Sequence, residues 1–100
     1  YPPEVRLIMI SFKHRDERTV AGSARLFADL LQPHFGDDLF GPMKPVVSYV
    51  QLQHIRRIML KVSPTLSPTS VRTTLWAARD RVLAHSACRN VTIYFDVDPM

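Results

Sequence analysis

The sequence is poor in the residues that most often carry chemistry. It holds one cysteine and three glycines among its 100 residues. A lone Cys88 can build neither a disulfide framework within the chain nor the paired thiolates of a zinc site, and a reducing, cytoplasmic setting fits. Gly22, Gly36 and Gly41 are too scattered to form a phosphate-cradling loop. No apolar run approaches the roughly 20 residues that a membrane-spanning helix needs. The start, Tyr1-Pro2-Pro3-Glu4, has neither an initiator Met nor the basic region of a signal peptide, which points to a mature or excised piece of something longer. None of His14, His34, His54 and His85 has another His at i+3 or i+4, and Cys88, three residues after His85, falls past the expected end of the second helix, so a helix-borne metal pair is missing. Ser23, Ser67 and Ser70 lack the G-x-S-x-G context of a nucleophile and read as helix and cap residues.

What is present is an ordinary globular balance, 46% apolar and 22% charged, over one domain's length. Net charge is +4 and ten of the thirteen basic residues are Arg. The planar guanidinium fork suits phosphate and carboxylate, so an anionic partner is expected.

"VRLIMISFK" (5–13) reads as a buried central strand. Val20, Ala24, Phe27 and Leu31 then recur at helical spacing, predicting a helix from Asp16 to Gln32 that Pro33 and Gly36 close. "GDDLFGPMKP" reads as turn chemistry, since two prolines argue against a central strand. "VVSYV" (46–50) reads as a short edge strand and "IRRIMLKV" (55–62) as a second buried one. Ser67-Pro68 is a good N-cap and N1 pair, opening a second amphipathic helix to about His85. "VTIYFD" (91–96) is the closing strand. The order β-α-β-β-α-β predicts an α+β, ferredoxin-like two-layer sandwich: a four-stranded antiparallel sheet with both helices on one face.

Alternation along 55–62 puts Ile58, Leu60 and Val62 on one face, and Arg57, Met59 and Lys61 on the other. If the first set packs under the helices, Arg57 and Lys61 lie on the open face, joined there by Tyr94. Cations beside an aromatic on an open sheet can hold a nucleic-acid strand. Arg56 lies nearer the hairpin turn, beside His54. Arg72 and Arg79 share one stripe of the second helix, and Arg72 near its first turn opposes the helix dipole, which hints at an external anion. Asp96-Val97-Asp98 alternates, so both carboxylates share a side. No third ligand accompanies them, and they read as structural rather than as a metal site. Acylphosphatases share this size and topology, but their glycine-containing loop after strand one is replaced here by "SFKHRDER", so catalysis by this chain is not expected.

"YPP" at the start, "FGPMKP" in the middle, "IMLKV" in the third strand and "FDVDP" at the end occur in one order. Together they resemble the C-terminal domain family of PriA, primosomal protein N′, the bacterial replication-restart helicase, over the whole chain. That resemblance implies a single accessory domain, 1–100, similar in fold to a small-subunit ribosomal protein. The implied parent is an ATP-driven 3′-to-5′ helicase using ATP, Mg²⁺ and zinc, none of whose machinery lies in this sequence. It further implies contact with branched or single-stranded DNA, with the acidic tail of single-stranded DNA-binding protein, and with the helicase core. DNA contacts are expected at Arg56, Arg57, Lys61 and Lys44, and the tail near the start of the second helix, Ser67 to Arg72. The family often carries an Arg near that helix start where this chain has Pro68 or its neighbours, and Arg72, one turn on, is the nearest candidate. A second departure is plain. The family's hairpin commonly reads Arg-aromatic-Arg-aromatic before the apolar run, where this chain reads "QHIRR". The alternative to DNA binding is a protein-docking module packed on the helicase core.

Overall fold

A computed structural model describes residues 5–98; the Tyr1-Pro2-Pro3 and Pro99 of the motif series lie outside the described residues. Strand β1, Arg6–His14, follows its alternation: Ile8, Ile10 and Phe12 are buried on one face. Two residues later helix α1, Glu17–Phe35, begins. Asp16 is its N-cap, accepting from the Arg18 amide at 3.1 Å and the Thr19 hydroxyl at 3.0 Å. Val20, Ala24, Phe27 and Leu31 form the buried stripe. The helix continues three residues past the expected end at Gln32, through Pro33. The proline removes one amide donor near a terminus, while Phe35 gains packing against the core. Gly36, at φ 52°, then donates its N–H to the Gln32 carbonyl.

The next segment corrects the expectation. Residues 39–43 are a strand, β2 (Leu39–Met43), paired antiparallel with β4. Strand β3 is only Tyr49–Val50, and β4 spans Gln53–Val62. Among the described residues the sheet therefore has five strands rather than four. Its order is β2-β4-β1-β5, with β3 continuing the β2 side along β4. Proline is compatible with β2 because β2 is an edge, where a missing N–H breaks no ladder. The register shifts between Phe40 and Met43 across the cis Gly41-Pro42 bond. Gly41, at φ 108°, is required there: a Cβ would lie 2.9 Å from the Arg57 carbonyl oxygen.

Helix α2, Pro68–Ala84, starts at the expected cap, the Ser67 hydroxyl accepting from the Ser70 amide at 3.4 Å. Strand β5, Thr92–Val97, pairs with β1. Every strand pairing is antiparallel. Val71, Leu75, Ala78 and Val82 of α2 join the α1 stripe and Ile8, Ile10, Phe12, Ile58 and Leu60 in one core, so both helices cover one face of the sheet. Phe12 and Phe27 meet edge-to-face at 5.4 Å in its middle. The other face of the sheet is left uncovered by helix.

Candidate nucleic-acid interface

The uncovered face is built row by row from the strand registers. One row runs Tyr94, Ser11, Arg57, Met43; the next runs Asp96, Met9, Met59, Phe40. Lys13 and Lys61 flank these rows on the same face, opposite Ile55 and Leu7 respectively. Arg57, Lys61 and Tyr94 thus share a face as the alternation indicates. The Lys13 ammonium sits 5.3 Å from the centre of the Tyr94 ring, a cation–π contact that holds both side chains in place. Arg57 pairs with no carboxylate among the described residues, and its Nε is buried without a hydrogen-bond partner. A buried donor of this kind carries an unrecovered desolvation cost of about 1–3 kcal/mol. Any outward rotation that meets an external acceptor relieves it.

Arg56 is elsewhere. It pairs in register with Phe12, on the helix-covered side. Its guanidinium donates to Glu17 Oε2 at 2.9 Å and to the Ile55 carbonyl at 2.9 Å. Lys44 Nζ lies 3.5 Å from the same Glu17 oxygen. Neighbouring strand residues must face opposite ways, so the two adjacent arginines serve two surfaces. Of the four expected DNA contacts, Arg57 and Lys61 are together, and Arg56 and Lys44 form a separate pair around Glu17. The Arg56 hydrogen bond, then the Lys44 charge, holds the Glu17 carboxyl below its ordinary value.

Arg72 lies on the rim of a groove of about 620 Å³ between the start of α2 and the end of the sheet. Ile8, Val62, Leu66, Val71, Leu75 and Phe95 make it largely apolar, and Arg6 and Trp76 border it. The Arg72 side chain makes no ion pair or hydrogen bond among the described residues. Trp76 is half-exposed and meets Phe95 edge-to-face at 5.6 Å, with the Arg79 guanidinium 5.1 Å from its ring. Pro68 and Ser67 each remove one N–H of the first turn from external use, the first by lacking it and the second by accepting from Ser70. The Arg72 guanidinium is therefore one donor that this helix start offers to a ligand.

Asp98 is tied into the fold. Its carboxylate accepts from the Leu7 amide at 3.0 Å and meets Arg6 Nη1 at 3.2 Å, while its own N–H donates to the Leu7 carbonyl. With φ at 51° it leaves the strand, so it does not share a continuous alternation with Asp96. No group of three or more His, Cys, Asp or Glu gathers at metal-holding distance among the described residues. None of their helices is long and apolar enough to cross a membrane.

Three residues of the open face, Lys13, Phe40 and Met43, join those singled out in the sequence. Lys13 is accessible to the alternation that places Arg57, since Met9, Ser11 and Lys13 share one parity. Phe40 and Met43 are hidden because their strand has the composition of a turn. A charge signal also stands in the sequence: residues 39–79 contain Lys44, Arg56, Arg57, Lys61, Arg72 and Arg79 and no Asp or Glu.

Known proteins share this outline. The model of one family, described as the primosomal protein N C-terminal domain, matches residues 1–100. No curated protein matches the chain. Among solved structures, the de novo designed protein Foldit4 superposes with a TM-score of 0.67, covering 96% of this chain and 98% of its own, at 4% sequence identity. That likeness concerns the fold alone.

Proposed function

Because the chain belongs to the primosomal protein N C-terminal domain family, we propose that it is a DNA-contacting accessory domain in replication restart, not a catalyst. The family supports a role in the primosome and DNA as a partner. The observation that carries the reading is Arg57, a cation with no carboxylate partner among the described residues, on an open sheet face and flanked by Lys13, Lys61 and Tyr94. Phosphates of a branched or single-stranded DNA would neutralise the cations, and unpaired bases would stack on Tyr94 and Phe40. Binding is then weak, insensitive to sequence and steeply salt-dependent. Titration of a forked oligonucleotide across a salt series tests it. Replacing Arg57 and Lys61 together by Ala should reduce the slope of log affinity against log salt by about 0.7–0.9 for each phosphate no longer neutralised. An unchanged slope places DNA elsewhere or nowhere on the domain.

The groove beside Arg72 fits the acidic tail of single-stranded DNA-binding protein. An apolar cleft with a guanidinium at its rim takes a peptide that ends in an apolar side chain and a carboxylate, the Arg donating as a fork. In the parent chain, titrated with tail peptide, Arg72→Ala should cost about 1.5–3 kcal/mol, the value of a charged hydrogen bond. Equal affinities leave Arg72 an ordinary surface residue.

A second reading has its own observation. Val46 and Val47 of the β2–β3 connection and Leu52 of the β3–β4 turn stand exposed, as a face docked on a helicase core would. Under that reading DNA affinity is negligible, and Val46→Ser with Leu52→Ser weakens association with the core instead.

A further inference from the structure

Arg25, Lys44 and Arg56 border a shallow cleft between α1 and the β2 edge, with Ala21 and Pro42 between them. Glu17, Ala21 and Arg25 fall at i, i+4 and i+8, one face of α1. Ala21 is small, so space remains between the carboxylate and the guanidinium that flank it. The Glu17 carboxylate answers two cations with a single oxygen, Oε2, at 2.9 Å from Arg56 Nη2 and 3.5 Å from Lys44 Nζ. The two sides of this contact differ in freedom. The Arg56 side chain is 13% exposed, whereas that of Glu17 is 47% exposed and rests on a rotatable stem. Arg56 cannot be left without an anion, because an unpaired charge at that depth is strongly unfavourable. Glu17 can turn into water at little cost.

We infer that this cleft is a phosphate-binding site in which the Glu17 carboxylate stands in for a phosphate oxygen and is displaced when a phosphate group arrives. Glu17 uses one of its two oxygens for both cations, whereas the tetrahedral spread of phosphate oxygens can give Lys44 and Arg56 an acceptor each. Among the described residues Arg25 is held only by an exposed pairing with Asp29 at 4.0 Å, and it adds a third cation to the rim. Displacement costs the Glu17 contacts, so the site discriminates against a lone weak anion and favours a ligand already tethered nearby. The phosphate can be that of a nucleic-acid backbone or a free phosphate. In its nucleic-acid form the inference rests on the DNA reading above, yet it concerns the opposite side of the sheet from Arg57.

Glu17→Gln removes the competing charge while keeping the shape, and the 100-residue chain carrying it is titrated with forked DNA over a salt series beside the unaltered chain. The expected result is several-fold tighter binding at low salt, with a slope steeper by about 0.7–0.9 for a phosphate newly held. Adding Lys44→Gln to that variant should cancel the gain. Equal or weaker binding at an unchanged slope overturns the nucleic-acid form and leaves Glu17 a strap between α1 and β4. Because loss of that ion pair can lower stability, inorganic phosphate is also titrated into the unaltered chain while the Arg56 and Arg57 side-chain NMR signals are followed. Phosphate should move Arg56 first. If phosphate moves Arg56 but DNA does not bind, the DNA reading falls and the free-phosphate form stands. An Arg56 signal that phosphate leaves unmoved, together with an unchanged slope for Glu17→Gln, overturns the site altogether.

Discussion

Asp16 and Glu17 are neighbours at one helix start, and both carboxyls are held below the ordinary carboxylate range for different reasons. For Asp16 the Thr19 hydroxyl is the larger cause and the Arg18 amide the next. For Glu17 it is the Arg56 hydrogen bond and then the Lys44 charge. A carboxyl with a lowered folded-state pKa stabilises the fold at pH values above its unfolded pKa of roughly 4, and that contribution fades as pH falls through the lowered value. Thermal melting should therefore drop on acidification below about pH 4, and Glu17→Gln should flatten this acid limb while leaving the Asp16 share. An acid limb identical in both chains would show that Glu17 contributes nothing to it.

At the scale of elements, the β3–β4 hairpin is strained by its own residues. Gln51 and Leu52 occupy its two turn positions at φ 52° and 68°, the left-handed pair that Asn-Gly fills without steric cost. Leu52 is 74% exposed there, so no packing offsets the strain. Leu52→Gly removes about 1–2 kcal/mol of backbone penalty and adds about 0.5–1 kcal/mol of unfolded-chain entropy. A higher urea midpoint at unchanged slope is expected; a lower one would mean that the leucine is held by something it touches. Gly41→Ala should act in the opposite sense, by about 1–3 kcal/mol, since the added methyl meets the β4 backbone. These two turns also mark where the sequence stops being readable. Strands β1 and β4 and both helices follow from the period of their apolar residues, and Ser67-Pro68 marks the start of α2 in two letters. Strand β2 does not, because "LFGPM" carries a bulge whose Gly and Pro look like a turn unless the neighbouring strand is known. On the functional side, parity sorts Arg57 and Lys61 onto the open face. No local rule can pair Arg56 with Glu17, 39 residues away, so its engagement is invisible until the helix is docked.

Over the whole molecule, one core serves both helices and the sheet, and Phe27 lies in it fully buried, against both Phe12 and Phe95. Phe27→Ala should cost about 3–5 kcal/mol, a large share of the roughly 5–15 kcal/mol that holds a domain of this size. Chemical denaturation should show that loss as a single transition. A biphasic curve would mean that the helices and the sheet do not share one cooperative unit.

The register of β1 carries a further consequence, one of timing. This first strand lies between β4 and β5, and its contacts with Asp98 span most of the chain: Arg6 and Leu7 meet it 92 and 91 residues away. During synthesis on a ribosome, β1 emerges first and waits for its outer neighbour until almost the whole domain has been made. Early helices and the β1–β4 ladder can form in the interval, but the β1–β5 ladder cannot close. Such non-local pairing slows folding relative to a helical bundle of equal size. The nascent chain meanwhile displays an apolar strand with an open edge, the stage at which a chaperone would have the most to do.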